Sequence, residues 1–144
     1  MEIMSIKQEV AWPARRVWSV VSDFGGLKAW NPAVLKCTTE GAGVGSIRTF
    51  VTRAATVKER IEALDDAGMR IDYSIVSGST LKVRDGRLAI TVRPIDAARA
   101  ELTWSLSGEP EGASPEVLRE QTERRYLGSV DDLRHYLSPT ARSA

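Results

Sequence analysis

The sequence predicts an α+β fold in which an antiparallel sheet curves around helices and a pocket, and three stretches predict it. Residues 57–75, VKERIEALDDAGMRIDYSI, read as two strands joined by a tight Asp65-Asp66-Ala67-Gly68 turn, with Glu59 and Tyr73 expected to face each other across the pair. Residues 17–24, VWSVVSDF, read as a short amphipathic helix closed by Asp23-Phe24-Gly25-Gly26. From Ser114 onward a single apolar stripe runs to Leu137, which only a broad apolar surface can cover.

Taken in order, Met4, Ile6 and Val10 share one parity of 2–11 and mark a half-buried strand. Pro13 suits a first helical turn, where its missing N–H would be unsatisfied anyway. Val17, Trp18, Val21 and Phe24 then recur at helical spacing, and Gly25-Gly26 stops that helix. Leu27-Lys28-Ala29-Trp30 reads as one further turn, ended by Asn31-Pro32. Strands are expected at 34–40, 46–52, 56–64, 69–77, 80–93 and 100–107. Turn signals separate most of them and no βαβ spacing intervenes, so the sheet should be antiparallel. Asp85-Gly86 is a type I′ hairpin signal, which leaves 80–93 open to a tight hairpin. A single bulged strand is preferred, because the first arm of such a hairpin would be only a few residues long. In the last helix Ser114 is a good N-cap, Pro115 takes the first helical position and Glu116 complements the dipole. Leu118, Thr122, Tyr126, Val130, Leu133 and Leu137 form its stripe over roughly 34 Å at 1.5 Å per residue.

The chain has 144 residues, enough for one domain (1–144) that buries about 70% of its unfolded surface, with 138–144 expected to be a flexible tail. Twenty Lys and Arg against 19 Asp and Glu give a net charge of +1, which removes the electrostatic pull of nucleic acid. The single cysteine, Cys37, excludes an internal disulfide and a zinc knuckle. No apolar run approaches the ~20 residues of a membrane span. The opening MEIMSIKQEV lacks the order of a signal peptide, so a cytoplasmic protein is expected.

Several constellations reduce to ordinary structure. Gly41-Ala42-Gly43-Val44-Gly45 has a strand rather than a helix after it, so it reads as a hairpin turn and not a dinucleotide loop. His135, the only histidine, falls opposite Tyr126 on the solvent side of its helix. Without a usable histidine or a cysteine cluster, neither a triad nor a metal site is expected, and no cofactor motif is present. Cys37 reads as a packing residue. Arg48, Glu59 and Tyr73 carry more chemistry. Val57, Glu59 and Ile61 share a face, as do Ile71, Tyr73 and Ile75, so Glu59 sits among apolar neighbours. A buried carboxylate needs a partner or a proton, and Arg48 on the preceding strand could be the partner. The residues alone leave this open against an exposed Lys58-Glu59-Arg60 charge run.

At these residues the chain resembles the polyketide cyclase/dehydrase-like branch of the START-like (SRPBCC, helix-grip) superfamily. The resemblance rests on VWSVVSDFGGLKAWNP at 17–32, GVGSIRTF at 43–50, ERIEALDD at 59–66, YSI at 73–75, TVRP at 91–94 and TWS at 103–105. It implies a helix-grip fold: a seven-stranded antiparallel sheet wrapped around the long C-terminal helix, two short helices after the first strand, and an internal cavity. Carried over, Arg48, Phe50, Glu59, Tyr73, Ile75, Trp104, Thr122, Tyr126 and Val130 would line that cavity, with Glu59 turned inward. Plant abscisic-acid receptors share a variant of the pattern. Their gate loop stands here as Thr52-Arg53-Ala54-Ala55 and their latch as Thr80-Leu81-Lys82, so a hormone-gated phosphatase inhibitor is not expected. A tyrosine usual in the family is replaced by Asp85-Gly86-Arg87.

The resemblance implies a protein that takes a hydrophobic small molecule, as a polyketide cyclase/dehydratase-like enzyme with Glu59, Arg48 and Tyr73 as catalytic groups. In that reading Arg48 steadies an oxyanion, Glu59 moves a proton and Tyr73 donates a hydrogen bond. A non-catalytic carrier or sensor is the alternative. A third reading is an interaction domain whose cavity is filled by Trp18, Trp30 and Trp104. No nucleic acid, membrane span, metal or cofactor is expected, and monomer and homodimer both stay open.

Overall fold

Period-two alternation decides which face of each strand is dry, and the dry faces assemble into one surface. The computed structural model describes residues 1–139. Its strands are β1 (Glu2–Val10), β2 (Lys36–Glu40), β3 (Ile47–Val51), β4 (Thr56–Asp65), β5 (Arg70–Ser77), β6 (Val83–Pro94) and β7 (Ala100–Pro110). They form one antiparallel sheet in the order β1-β7-β6-β5-β4-β3-β2. On β7 the buried positions are Ala100, Leu102, Trp104 and Leu106, and on β6 they are Leu88, Ile90 and Val92. Consecutive hairpins join β2 to β7, and the chain's first and last strands lie side by side.

Between β1 and β2 the chain makes α1 (Ala14–Val21), a single 3-10 turn at Phe24–Gly26, and α2 (Leu27–Trp30). Pro13 is the N-cap of α1 rather than part of its first turn, since its ψ of 144° is extended. Trp18 anchors α1 to the far hairpin through an Nε1–H bond to Asp66 Oδ1 at 2.7 Å.

The long helix α3 spans Pro115–Leu137. Ser114 Oγ accepts from the Val117 N–H at 3.2 Å, satisfying one of the donors that a helix start leaves free. Leu118, Thr122, Val130, Leu133 and Leu137 are buried in the apolar interior, and Arg134 ties the other end to β1 through the Glu9 carbonyl at 2.8 Å. Of the expected flexible tail at 138–144, residues 140–144 lie outside the described residues.

Two expectations about strands meet the observed registers. The segment after Lys82 is a single strand, with Asp85 at φ 54° and a bulge between Arg84 and Arg87 absorbing the hairpin signal. Glu59 does not face Tyr73. It opposes Ile75, while Tyr73 opposes Ile61. The ladder closes at Asp65 and Arg70 instead of inside the expected turn, and a bulge between Ile61 and Ala63 shifts the pairing again. Glu59 and Tyr73 stay on the same face as diagonal neighbours, within reach of long side chains.

Candidate functional site

A pocket of about 770 Å³ lies between the inner sheet face, α3 and the loop after α2. Its sheet wall is Arg48 and Phe50 of β3, Val57 and Glu59 of β4, Tyr73 and Ile75 of β5, and Trp104 of β7. The helix side is Arg125, Tyr126, Gly128, Ser129 and Asp132. Leu27 of α2 and residues 31–35, 52–55 and 79–81 make up the rest of the lining.

Arg48 and Glu59 face each other across the β3–β4 ladder, and their residues are 7% and 6% exposed. Arg48 donates from Nε at 2.8 Å and from Nη2 at 2.6 Å, both to Glu59 Oε1, while Nη1 donates to the Phe24 carbonyl at 3.2 Å. Three rings surround the guanidinium: Phe24 at 4.1 Å, Tyr73 at 5.1 Å and Phe50 at 5.7 Å from ring centre. Burial is the largest single influence and disfavours this cation, but the Glu59 charge, the nearby Tyr73, the hydrogen bond to Glu59 and the Cys37 thiol together outweigh it and hold the Arg48 pKa above its ordinary value. Sequence parity left Glu59 between a buried pair and a wet charge run, and the geometry is that of the buried pair.

Both donations fall on Oε1. Among the described residues no buried side-chain nitrogen or oxygen lacks a hydrogen-bond partner, so the unbonded Oε2 is at the accessible surface, which for this residue is the pocket. Tyr73 Oη accepts from Trp104 Nε1 at 3.2 Å and keeps its own proton available. Burial, reinforced by the Glu59 charge, raises the Tyr73 phenol well above its ordinary value. The same two causes raise Tyr126, whose ring packs 4.7 Å from Trp104. Both phenols are therefore neutral hydrogen-bond donors rather than bases.

Of the residues expected to line a cavity, Arg48, Phe50, Glu59, Tyr73, Ile75, Trp104 and Tyr126 do line the pocket. Thr122 and Val130 do not. Both are wholly buried, and the Thr122 hydroxyl is turned to the Leu118 carbonyl at 2.8 Å. They belong to the row that packs on the sheet, whereas the pocket meets the adjacent row 125, 128, 129 and 132. That row recurs at i, i+3, i+4 and i+7, a helical face visible in the sequence only as small and charged residues. Trp18 and Trp30 do not line the pocket, so of the three tryptophans expected to fill it only Trp104 takes part.

His135 is exposed in the last turn of α3. Cys37, half-buried opposite Phe50, has its thiol pKa raised by burial, which suits packing rather than nucleophilic attack. Among the described residues no group of three or more His, Cys, Asp or Glu could hold a metal ion, and no helix is long and apolar enough to cross a membrane.

Comparison with solved structures finds the same architecture. The chain is similar to a protein of Bacillus thuringiensis, with a TM-score of 0.84 and 21% identity over 94% of this chain and 98% of that one. It is similar to the ZhuI aromatase/cyclase of Streptomyces sp. R1128, with a TM-score of 0.72 and 20% identity over 96% of this chain and 92% of that one. It also matches the di-domain aromatase/cyclase BexL of the BE-7585A biosynthetic pathway, with a TM-score of 0.81 and 19% identity over 95% of this chain and 46% of that one. At these identities the likeness shows the fold. The model of the family described as "polyketide cyclase / dehydrase and lipid transport" matches residues 1–138, and the chain belongs to that family, within the START-like superfamily.

Proposed function

We propose that the protein binds a largely apolar small molecule with a few polar groups in this pocket, and that it acts on it as a polyketide cyclase/dehydratase-like enzyme. The observation that carries the reading is the Glu59 carboxylate, buried yet with Oε2 free on an aromatic-lined pocket beside the neutral Tyr73 donor. The pocket's 770 Å³ lies within the range of about 300–1,000 Å³ typical of small-molecule sites.

In a poly-β-carbonyl chain, a C–H between two carbonyls is acidic. Glu59 Oε2 takes that proton, and the resulting enolate attacks a second carbonyl carbon to form the ring bond. Tyr73 hydrogen-bonds the oxygen on which charge develops. Protonated Glu59 returns that proton to the new alkoxide, and the resulting hydroxyl leaves with a proton from the adjacent carbon as water in the dehydration that follows. Pocket shape supplies the near-attack conformer. Arg48 acts here as a positioning residue: three of its five N–H groups hold Glu59 and the Phe24 carbonyl, which fixes the carboxylate, and Tyr73 supplies the hydrogen bond to the oxyanion.

One observation favours the non-catalytic alternative, a carrier or sensor. The two bonds from Arg48 to Oε1 favour a fixed carboxylate, which suits an acceptor for a ligand donor as well as it suits a base.

Native mass spectrometry of the purified protein, followed by denaturing extraction, tests the binding. A discrete hydrophobe is expected to leave the fold. A clean unliganded mass together with no uptake from a panel of aromatic and aliphatic hydrophobes would sink the proposal. Turnover of a released or synthetic poly-β-carbonyl substrate, lost in Glu59→Gln with binding retained, separates enzyme from carrier.

A further inference from the structure

We infer that the buried end of this pocket is built for a neutral hydroxyl on an aromatic or enolic ring, and that it turns away a carboxylate. The inference rests on the ligand-binding reading above and goes on to say which chemical group is taken inward.

The Arg48–Glu59 pair is neutral as a whole but not in its outlook. On the cationic side three of the five N–H groups are used, Nε and one on Nη2 by Glu59 Oε1 and one on Nη1 by the Phe24 carbonyl, and the rings of Phe24 and Tyr73 lie around the guanidinium. On the anionic side Oε2 is unbonded and reaches the pocket. The pair thus turns its acceptor edge to whatever enters. An unpaired carboxylate oxygen in a site about to lose its water is costly unless the ligand donates to it.

The neighbouring polar group has the opposite sense. Tyr73 Oη receives the Trp104 Nε1–H and has its own O–H left to give. Acceptor and donor stand on adjacent strands as diagonal neighbours on one face. A ligand hydroxyl answers both, since it donates to Oε2 and accepts from Tyr73. A ketone would accept from Tyr73 and leave Oε2 unpaired. An ammonium would serve Oε2 and leave the Tyr73 proton without a partner. A carboxylate would bring a like charge against Oε2.

The remaining charges reinforce the direction of entry. Besides Arg48, the basic residues on the lining are Arg53 and Arg125, both exposed, and Arg125 is tied to Thr80 Oγ1 at 2.9 Å. An anionic group on the ligand therefore finds its counter-charge near solvent and not at the buried end. Asp132 adds a second carboxylate to the lining from α3. Phe50, Ile75 and Trp104 provide flat apolar walls for the ring that carries the hydroxyl.

Calorimetric or fluorescence titration at neutral pH with three probes of nearly one size, 2-naphthol, naphthalene and 2-naphthoate, tests this on the whole chain. The naphthol is expected to bind roughly tenfold or more tightly than either of the others. Glu59→Gln should shrink the advantage of naphthol over naphthoate to within about threefold, because the repelling charge is gone. Tyr73→Phe, which leaves the ion pair intact, should weaken naphthol selectively over naphthalene and serves as the second variant if Glu59→Gln unfolds. Naphthoate binding as well as naphthol, or a preference that survives both substitutions, overturns the inference while leaving the pocket a ligand site. Binding of none of the three overturns the ligand-binding reading as well.

Discussion

Arg48 and Glu59 stand directly opposite each other on β3 and β4, and the guanidinium closes Nε and Nη2 on one carboxylate oxygen at 2.8 and 2.6 Å. With both side chains under a tenth exposed, neither charge is well solvated beyond the Oε2 edge that meets the pocket. Removing one partner therefore costs far more than the pair is worth. Arg48→Met is expected to destabilise the fold by about 3–5 kcal/mol, whereas Arg48→Met combined with Glu59→Leu should recover most of that loss. Urea denaturation of the single and double variants measures both values. A single-variant loss below about 1 kcal/mol would show that the carboxylate is better solvated than its burial indicates.

Two glycines make opposite predictions. Gly78 follows β5 at φ 84°, and an added Cβ would stand 1.8 Å from the Thr56 carbonyl oxygen, a backbone atom that cannot swing away. Gly78→Ala is expected to cost roughly 2 kcal/mol or more, from the left-handed conformation and the clash together. Gly128 sits within α3, where an added Cβ would meet nothing within 4 Å. Gly128→Ala should raise stability by about 1 kcal/mol through helix propensity. Because Gly128 lines the pocket, the same methyl intrudes on the ligand's space. Thermal melts and probe titrations on this one variant should move in opposite directions, and a melting temperature that falls would count against the open space seen above Gly128.

Ser114 offers a test of what holds α3 in place. Its Oγ accepts the Val117 N–H at 3.2 Å, the only side-chain cap at the start of a 23-residue helix. Ser114→Ala should destabilise by about 1 kcal/mol, and Ser114→Asp should restore the loss, since a carboxylate both caps and meets the helix dipole. Equal stability of all three proteins would place the helix under the control of its buried row alone.

Strand parity and helix periodicity carried the architecture because they record burial directly. Val57, Glu59 and Ile61 on one face, and Leu118, Thr122, Val130, Leu133 and Leu137 along one stripe, are positions where a polar residue must justify itself. The register of β4 against β5 was not legible, because the one-residue bulges beside Glu59 and after Ile61 shift the pairing and no turn or alternation signal in the sequence marks them. Thr122 and Val130 were placed in the cavity lining because one stripe was made to serve two surfaces. In the structure the apolar row faces the sheet and the small, charged row of Arg125, Gly128, Ser129 and Asp132 faces the pocket. Residues 31–35, 52–55 and 79–81 line the pocket from outside the regular elements, and no period marks a residue there.

The two pocket phenols predict how the fold fails in alkali. Burial first, and the Glu59 charge second, raise Tyr73 and Tyr126 above the ordinary phenol value near 10. A group whose folded pKa is raised holds its proton more tightly in the folded state, so the unfolded chain ionises first. Its contribution to stability is complete below the unfolded value and is lost as pH rises beyond it. Stability should accordingly decline above about pH 10. Two of the three tyrosines should yield phenolate absorbance only as the fold opens. Tyr73→Phe and Tyr126→Phe should each flatten that decline, because phenylalanine has no proton to lose. Absorbance at the phenolate band, followed alongside far-ultraviolet circular dichroism through an alkaline titration, compares the two events. Reversible ionisation of all three tyrosines near pH 10, with the circular dichroism unchanged, would mean that the pocket admits water and hydroxide freely.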